Sequence, residues 1–198
     1  MKKFKLLINN IPLPIRLFLG KAFLFFVIWK IIYGFFLFDS QFVDNLLTTH
    51  VGESSVKVLN NLTSMTGFTA VNETSFEPLY GEIQEFNMSV IYHNGVRILN
   101  IANACNGLEL LVLYVGFIVC MPSSFKRKIL YIVIGVLILD IVNIIRCVGL
   151  IYLREYLHAY FQFAHHYLFK IMVYSSTFLL WVVFTRKIHL KNETVQIG

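Results

Sequence analysis

Charge is what this sequence has least of. Only 14% of its 198 residues are Asp, Glu, Lys or Arg, where a soluble domain carries about a quarter. With 57% hydrophobic residues and a mean hydropathy of +0.68, that shortage argues against a water-soluble globular domain. Cysteine is scarce too. Cys105, Cys120 and Cys147 are odd in number, lie in apolar runs and show no CxxC spacing, which argues against a disulfide framework or a zinc site. No A-x-A-like site follows the first apolar run, which is longer than the core of a signal peptide, so a retained helix is expected there. There is no internal repeat and no low-complexity tract. Nor is there a basic stripe interleaved with aromatics, so the formal charge of +6 reads as membrane-flanking anchors and no nucleic acid partner is expected.

What is present is long apolar runs. Four reach the roughly 20 residues needed to span about 30 Å of hydrocarbon. They predict transmembrane helices at 16–38, 98–121, 129–152 and 163–185. Lys21 and Lys30 interrupt the first, their stems snorkelling. Lys2, Lys3, Lys5 and Arg16 precede the first run. Lys126, Arg127 and Lys128 follow Pro122 between the second and third, and Arg186, Lys187 and Lys191 follow the fourth. The positive-inside rule then puts residues 1–15 and the tail 186–198 in the cytoplasm. Segment 39–97 is extracytoplasmic and acidic, with Asp39, Asp44, Glu53, Glu73, Glu77, Glu82 and Glu85 against Lys57 and Arg97. Its first part has apolar residues at three- and four-residue intervals, the pattern of an amphipathic helix on the outer leaflet. Asn94-Gly95 is a hairpin signal, because both residues accept a positive φ, and predicts a β-hairpin over 86–100. The expected fold is thus an all-α polytopic membrane protein, with about four transmembrane helices and an outward-facing loop holding an amphipathic helix and a β-hairpin. Residues 98–185 form its three-helix core.

Against that background the polar residues inside the runs stand out. "IANACNGLELLVLYVGFIVC" carries Cys105 and, four residues on, Glu109 on the same helical face. Arg146 interrupts the third run, with Asn143 three residues earlier and able to orient it; His165 and His166 stand near the start of the fourth. At 1.5 Å per residue, Cys105 and Arg146 lie roughly 10 Å inside the outer ends of their helices, and the histidines within about one turn of theirs. A thiol, a cation and an imidazole therefore share one outer layer. Arginine in a spanning segment is costly and usually marks a working site. A cation beside a thiol favours the thiolate, and a histidine can take its proton. Gly107 allows close approach beside Asn106. Glu109 is read as a partner for Arg146 or as a protonated carboxyl. Adjacent histidines point about 100° apart on a helix, so only one faces the site. No further ligand stands at metal spacing, so neither a metal nor another cofactor is expected. Asp140 lies mid-membrane, away from the Arg146 face.

The order Cys, Arg, His across three helix ends resembles the exosortase/archaeosortase family of polytopic membrane cysteine transpeptidases. The resemblance rests on "NACNGLELL", similar to an Ala-x-x-Cys-Ser-Gly-type block, on "NIIRCVGL", similar to an Asn-x-x-Arg block, and on "HHYLFKIMVY". It covers residues 86–185. Asn106 stands where the family often has Ser. Lys170 stands where a Gly commonly follows the histidine by four, a spacing that favours His166 over His165. Typical members have more helices before the cysteine block; this chain has one.

The resemblance implies a cysteine protease or transpeptidase of the cell membrane, its site facing outward. It would cleave C-terminal sorting signals of secreted proteins, each a short motif, an apolar helix and a basic tail. Cys105 would be the nucleophile, His166 the base and Arg146 the oxyanion group, with a membrane lipid or surface polymer as acceptor. The rival expectation is a non-enzymatic membrane scaffold or assembly subunit, in which Cys105→Ser would be silent.

Overall fold

The computed structural model describes residues 13–38, 40–79 and 82–186. Residues 1–12 of the expected cytoplasmic N-terminus and nearly all of the expected tail lie outside those residues. Helix α1, Leu13–Ile32, continues as a π-helical turn, Tyr33–Leu37. After a bend of 89° follows α2, Phe42–Leu62. Three strands come next: β1, Phe68–Leu79; β2, Glu82–His93; and β3, Val96–Ile101. Helix α3 is Leu108–Cys120 and α4 is Phe125–Tyr156. Helix α5, His158–Thr185, contains a π-helical turn at Ala164–Leu168.

Among the described residues, two helices are long and apolar enough to cross a membrane, α4 with 32 residues and α5 with 28. The bent α1–α2 pair can supply a third crossing. The described residues do not show the four full spans expected. The apolar run expected as a helix over 98–121 divides into β3, a 3-10 turn at Asn103–Cys105, and α3. Hydropathy cannot separate an apolar strand from an apolar helix when they abut. The division falls at Gly107, whose φ of 87° is incompatible with helix. The 13 residues of α3 measure about 20 Å, short of a 30 Å core.

The chain between the bend and α3 builds a cap on one end of α4. The sheet is an antiparallel meander in the order β1-β2-β3. Asn94 (φ 50°) and Gly95 (φ 82°) make the tight turn into β3. β1 pairs with β2 along its whole length, from Phe68 opposite His93 to Leu79 opposite Glu82. β3 pairs only with Ser89–His93, through a bulge at Ile91/Tyr92. Helix α2 lies between sheet and α4 and buries the face Asp44, Thr48, Val51, Ser55, Val56 and Leu59. Val51, Leu59, Phe68, Ile91, Ile101, Cys147 and Ile151 form one apolar core there. Two histidine–carboxylate pairs fasten the cap to α4: His50 to Asp140 at 3.0 Å and His93 to Glu155 at 2.9 Å. Asp140 thus has a partner from α2 that its place in an apolar run did not suggest.

Below the cap, α3, α4 and α5 share a second core around Tyr114, Ile118, Leu139, Val173 and Phe184. The Tyr114 hydroxyl donates to the Tyr131 carbonyl at 2.7 Å. It passes where Gly135 leaves room; a Cβ there would sit 2.1 Å from that hydroxyl.

Candidate active site

Cys105 closes the 3-10 turn between β3 and α3 and is half-buried. Its amide donates to the Ala102 carbonyl at 2.8 Å, which fixes the turn. Arg146 reaches it from α4: Nη2 donates to Cys105 Sγ at 3.4 Å. Asn143, one turn earlier on α4 and buried, holds both partners. Its Oδ1 accepts from Arg146 Nη1 at 3.2 Å, and its Nδ2 donates to the Cys105 carbonyl at 3.3 Å. The thiol, the guanidinium and the amide are one connected unit. A guanidinium aimed at sulfur stabilises negative charge there through a charge-assisted bond.

Gly107 is what lets α4 come this close. A Cβ on it would lie 3.1 Å from Asn143 Nδ2. Next to it, Asn106 faces the other way and is buried. Its Nδ2 donates to Asp44 Oδ1 at 2.8 Å, and its Oδ1 accepts from the Leu108 amide at 2.8 Å, starting α3. Asp44 is itself buried and accepts from the Tyr33 hydroxyl at 2.9 Å. Thr48 donates to Asn103 Oδ1 at 2.9 Å. The turn bearing Cys105 is therefore gripped by α2 on one side and α4 on the other. Tyr33, Gln41, Asp44, Thr48 and Asn103 had no functional signal in the sequence. Asp44 stood only as one loop acid among several, and Thr48, Gln41 and Asp44 lie 55, 62 and 62 residues from their partners at the turn, Asn103 for the first two and Asn106 for Asp44.

The histidines are placed differently. Both lie on the π-helical turn of α5, a feature often found at functional sites. His165 is half-buried, stacks on Phe161 with ring centroids 5.8 Å apart, and lies within electrostatic reach of Arg146. His166 is exposed. Among the described residues neither hydrogen-bonds to Cys105. Catalytic contacts are often made only when substrate is bound. Glu109 makes no ion pair with Arg146; its carboxylate instead sits within electrostatic reach of the Tyr33 phenol.

A cavity of about 710 Å³ opens between α1, α3 and α5. Asn103, Asn143 and Arg146 line its head. Lys30, Glu109 and Lys170 add charge to the wall, and Phe25, Phe117 and Trp181 line the apolar remainder. From Gly107 to Phe117 along α3 is about 15 Å. Among the described residues no group of His, Cys, Asp and Glu is arranged to hold a metal ion.

A family model described as transmembrane exosortase matches residues 11–183 of the chain. No curated protein and no solved structure gives a significant match.

Proposed function

Because the chain belongs to the transmembrane exosortase family, we propose that it is a membrane cysteine transpeptidase or protease, with Cys105 as nucleophile. The observation that carries the reading is the 3.4 Å contact from Arg146 to Cys105 Sγ, with Asn143 fastened to both. In this reading the substrate is a secreted protein whose C-terminal signal ends in an apolar helix and a basic tail. The cap faces outward and both termini are cytoplasmic.

The chemistry runs in two halves. Cys105 Sγ attacks the scissile carbonyl carbon while a histidine takes the thiol proton. The negative charge that develops on the carbonyl oxygen of the tetrahedral intermediate is stabilised by Arg146, which turns from sulfur to oxygen as the C–S bond forms. The C–N bond breaks and the leaving amine takes the proton from the imidazolium. An incoming amine, or water, then gives its proton to the same histidine and displaces the thiol from the acyl group. His166 is supported as base by its four-residue spacing to Lys170. His165 is supported by its half-buried place near Arg146. Asn143 positions Arg146 and the turn, while Asn106 and Gly107 shape the turn itself.

The test is co-expression with a secreted protein carrying such a tail, read by loss of tail mass. Processing should vanish in Cys105→Ala and Arg146→Ala and persist in Cys120→Ala and Cys147→Ala. One of His165→Ala and His166→Ala should abolish it and so identify the base. A silent Cys105→Ser would remove the enzyme reading and leave a membrane scaffold.

A further inference from the structure

One edge of β2 is only half used. β3 covers Ser89–His93 and stops at Ile101, opposite Ser89. Among the described residues no strand pairs with Glu85–Met88 on that same side. The side chain of Gln41 lies there instead. Its Nε2 donates to the Glu85 carbonyl, and its Oε1 accepts from the Asn87 amide at 3.4 Å. One donor and one acceptor offered to alternate residues of a strand are what the peptide group of a neighbouring strand would offer. Gln41 itself is held at φ 47°, in the left-handed region, and makes no capping bond to α2 with its side chain. A residue with a Cβ adopts that conformation only when its surroundings impose it, and such outliers cluster at ligand clamps.

The vacant edge begins where the turn bearing Cys105 begins. Asn103, the first residue of that turn, donates from Nδ2 to Gln41 Oε1 at 3.5 Å, and β2 touches the turn directly. Asn103 also lines the head of the cavity whose far wall is Phe25, Phe117 and Trp181. The edge, the turn bearing Cys105 and the apolar cavity thus adjoin one another through Asn103. A chain that is extended in one part and apolar in the next would meet them in that order.

We propose that the Glu85–Asn87 edge of β2 is the peptide-binding subsite. It takes the extended segment of the substrate that precedes its apolar helix, as an added strand, and Gln41 is the placeholder that the peptide displaces. Recognition is then largely through main-chain hydrogen bonds. This rests on the proposed nucleophilic role of Cys105.

The test uses the full chain in membranes and a library of tetrapeptidyl chloromethyl ketones. Cys105 Sγ forms a bond to the methylene carbon as chloride leaves. Iodoacetamide, too small to use the edge, gives the reference rate. Each peptide is compared with versions N-methylated at successive positions. Successive amides of a strand point to opposite sides, so methylation should slow labelling about tenfold at alternate positions only, the effect of one or two lost backbone hydrogen bonds. Asn87→Pro removes an amide that faces the vacant side, where proline is tolerated. It should slow the peptides by a similar factor and leave iodoacetamide unchanged. If methylated and unmethylated peptides label alike while iodoacetamide still labels Cys105, the edge proposal fails and the enzyme reading stands. If Cys105 reacts with neither, both fall. A disulfide-linked dimer formed by Glu85→Cys without peptide would give the edge to a second copy of the chain and also overturn the proposal.

Discussion

Gly107→Ala separates backbone strain from damage to the site. At φ 87° an alanine pays a conformational cost of about 1–3 kcal/mol. Its Cβ also meets Asn143 Nδ2 at 3.1 Å, so Asn143 must retreat by a few tenths of an ångström. Its bond to the Cys105 carbonyl is already 3.3 Å, and such bonds fade beyond about 3.5 Å. Losing it costs roughly a further 0.5–1.5 kcal/mol. Gly95→Ala is the control: φ is 82°, but nothing lies within 4 Å of the new Cβ. Both variants should lose the strain contribution in detergent unfolding, and Gly107→Ala roughly 0.5–1.5 kcal/mol more. Only Gly107→Ala should also slow iodoacetamide labelling of Cys105, by up to about tenfold, since about 1.4 kcal/mol is one decade in rate. Equal labelling in the two variants would show that Asn143 does not transmit position to the thiol.

Other changes have equally definite outcomes. Asn106→Ala strips the buried Asp44 of a 2.8 Å partner, and loss of a charged group's bond should cost about 1.5–3 kcal/mol in unfolding free energy. Asp44→Asn in the same chain should recover part of it. Gly135→Ala forces a Cβ within 2.1 Å of the Tyr114 hydroxyl, and overpacking of this kind costs about 1–3 kcal/mol. Adding Tyr114→Leu should restore expression. His50→Ala leaves Asp140 without its 3.0 Å partner and should loosen the cap, seen as faster amide exchange in α2 with α4 unaffected.

What the sequence made legible follows from which physical signals are local. The apolar lengths of α4 and α5 announce themselves. So does the cost of Arg146, and Asn143 follows from its three-residue spacing. Asn94-Gly95 is a turn signal of two adjacent residues, and the structure has the turn there. The division of 98–121 was hidden because "VRILNI" and "LELLVLYVGFIVC" are both apolar, although Gly107 marks the break. β1 mixes polar residues and Pro78, which disguises a strand. The grip of Asp44 on Asn106, of Thr48 on Asn103 and of His50 on Asp140 depends on where α2 folds back, and no window of sequence contains both partners.

The shortness of α3 has a consequence for the lipid around it. A 13-residue helix that starts at one membrane face ends about 10 Å before the other. Lys128 Nζ satisfies the Val119 carbonyl at that end, but other polar groups of the turn that follows would find no hydrogen-bonding partners in hydrocarbon. Water must therefore descend to it, or the leaflet must dimple beside α3. Either way, the bilayer next to a helix of that length placed so is thinner than the bilayer away from it. So placed, the protein would act on its solvent as well as on any ligand, with a shallow wet basin whose floor is set by the length of one helix.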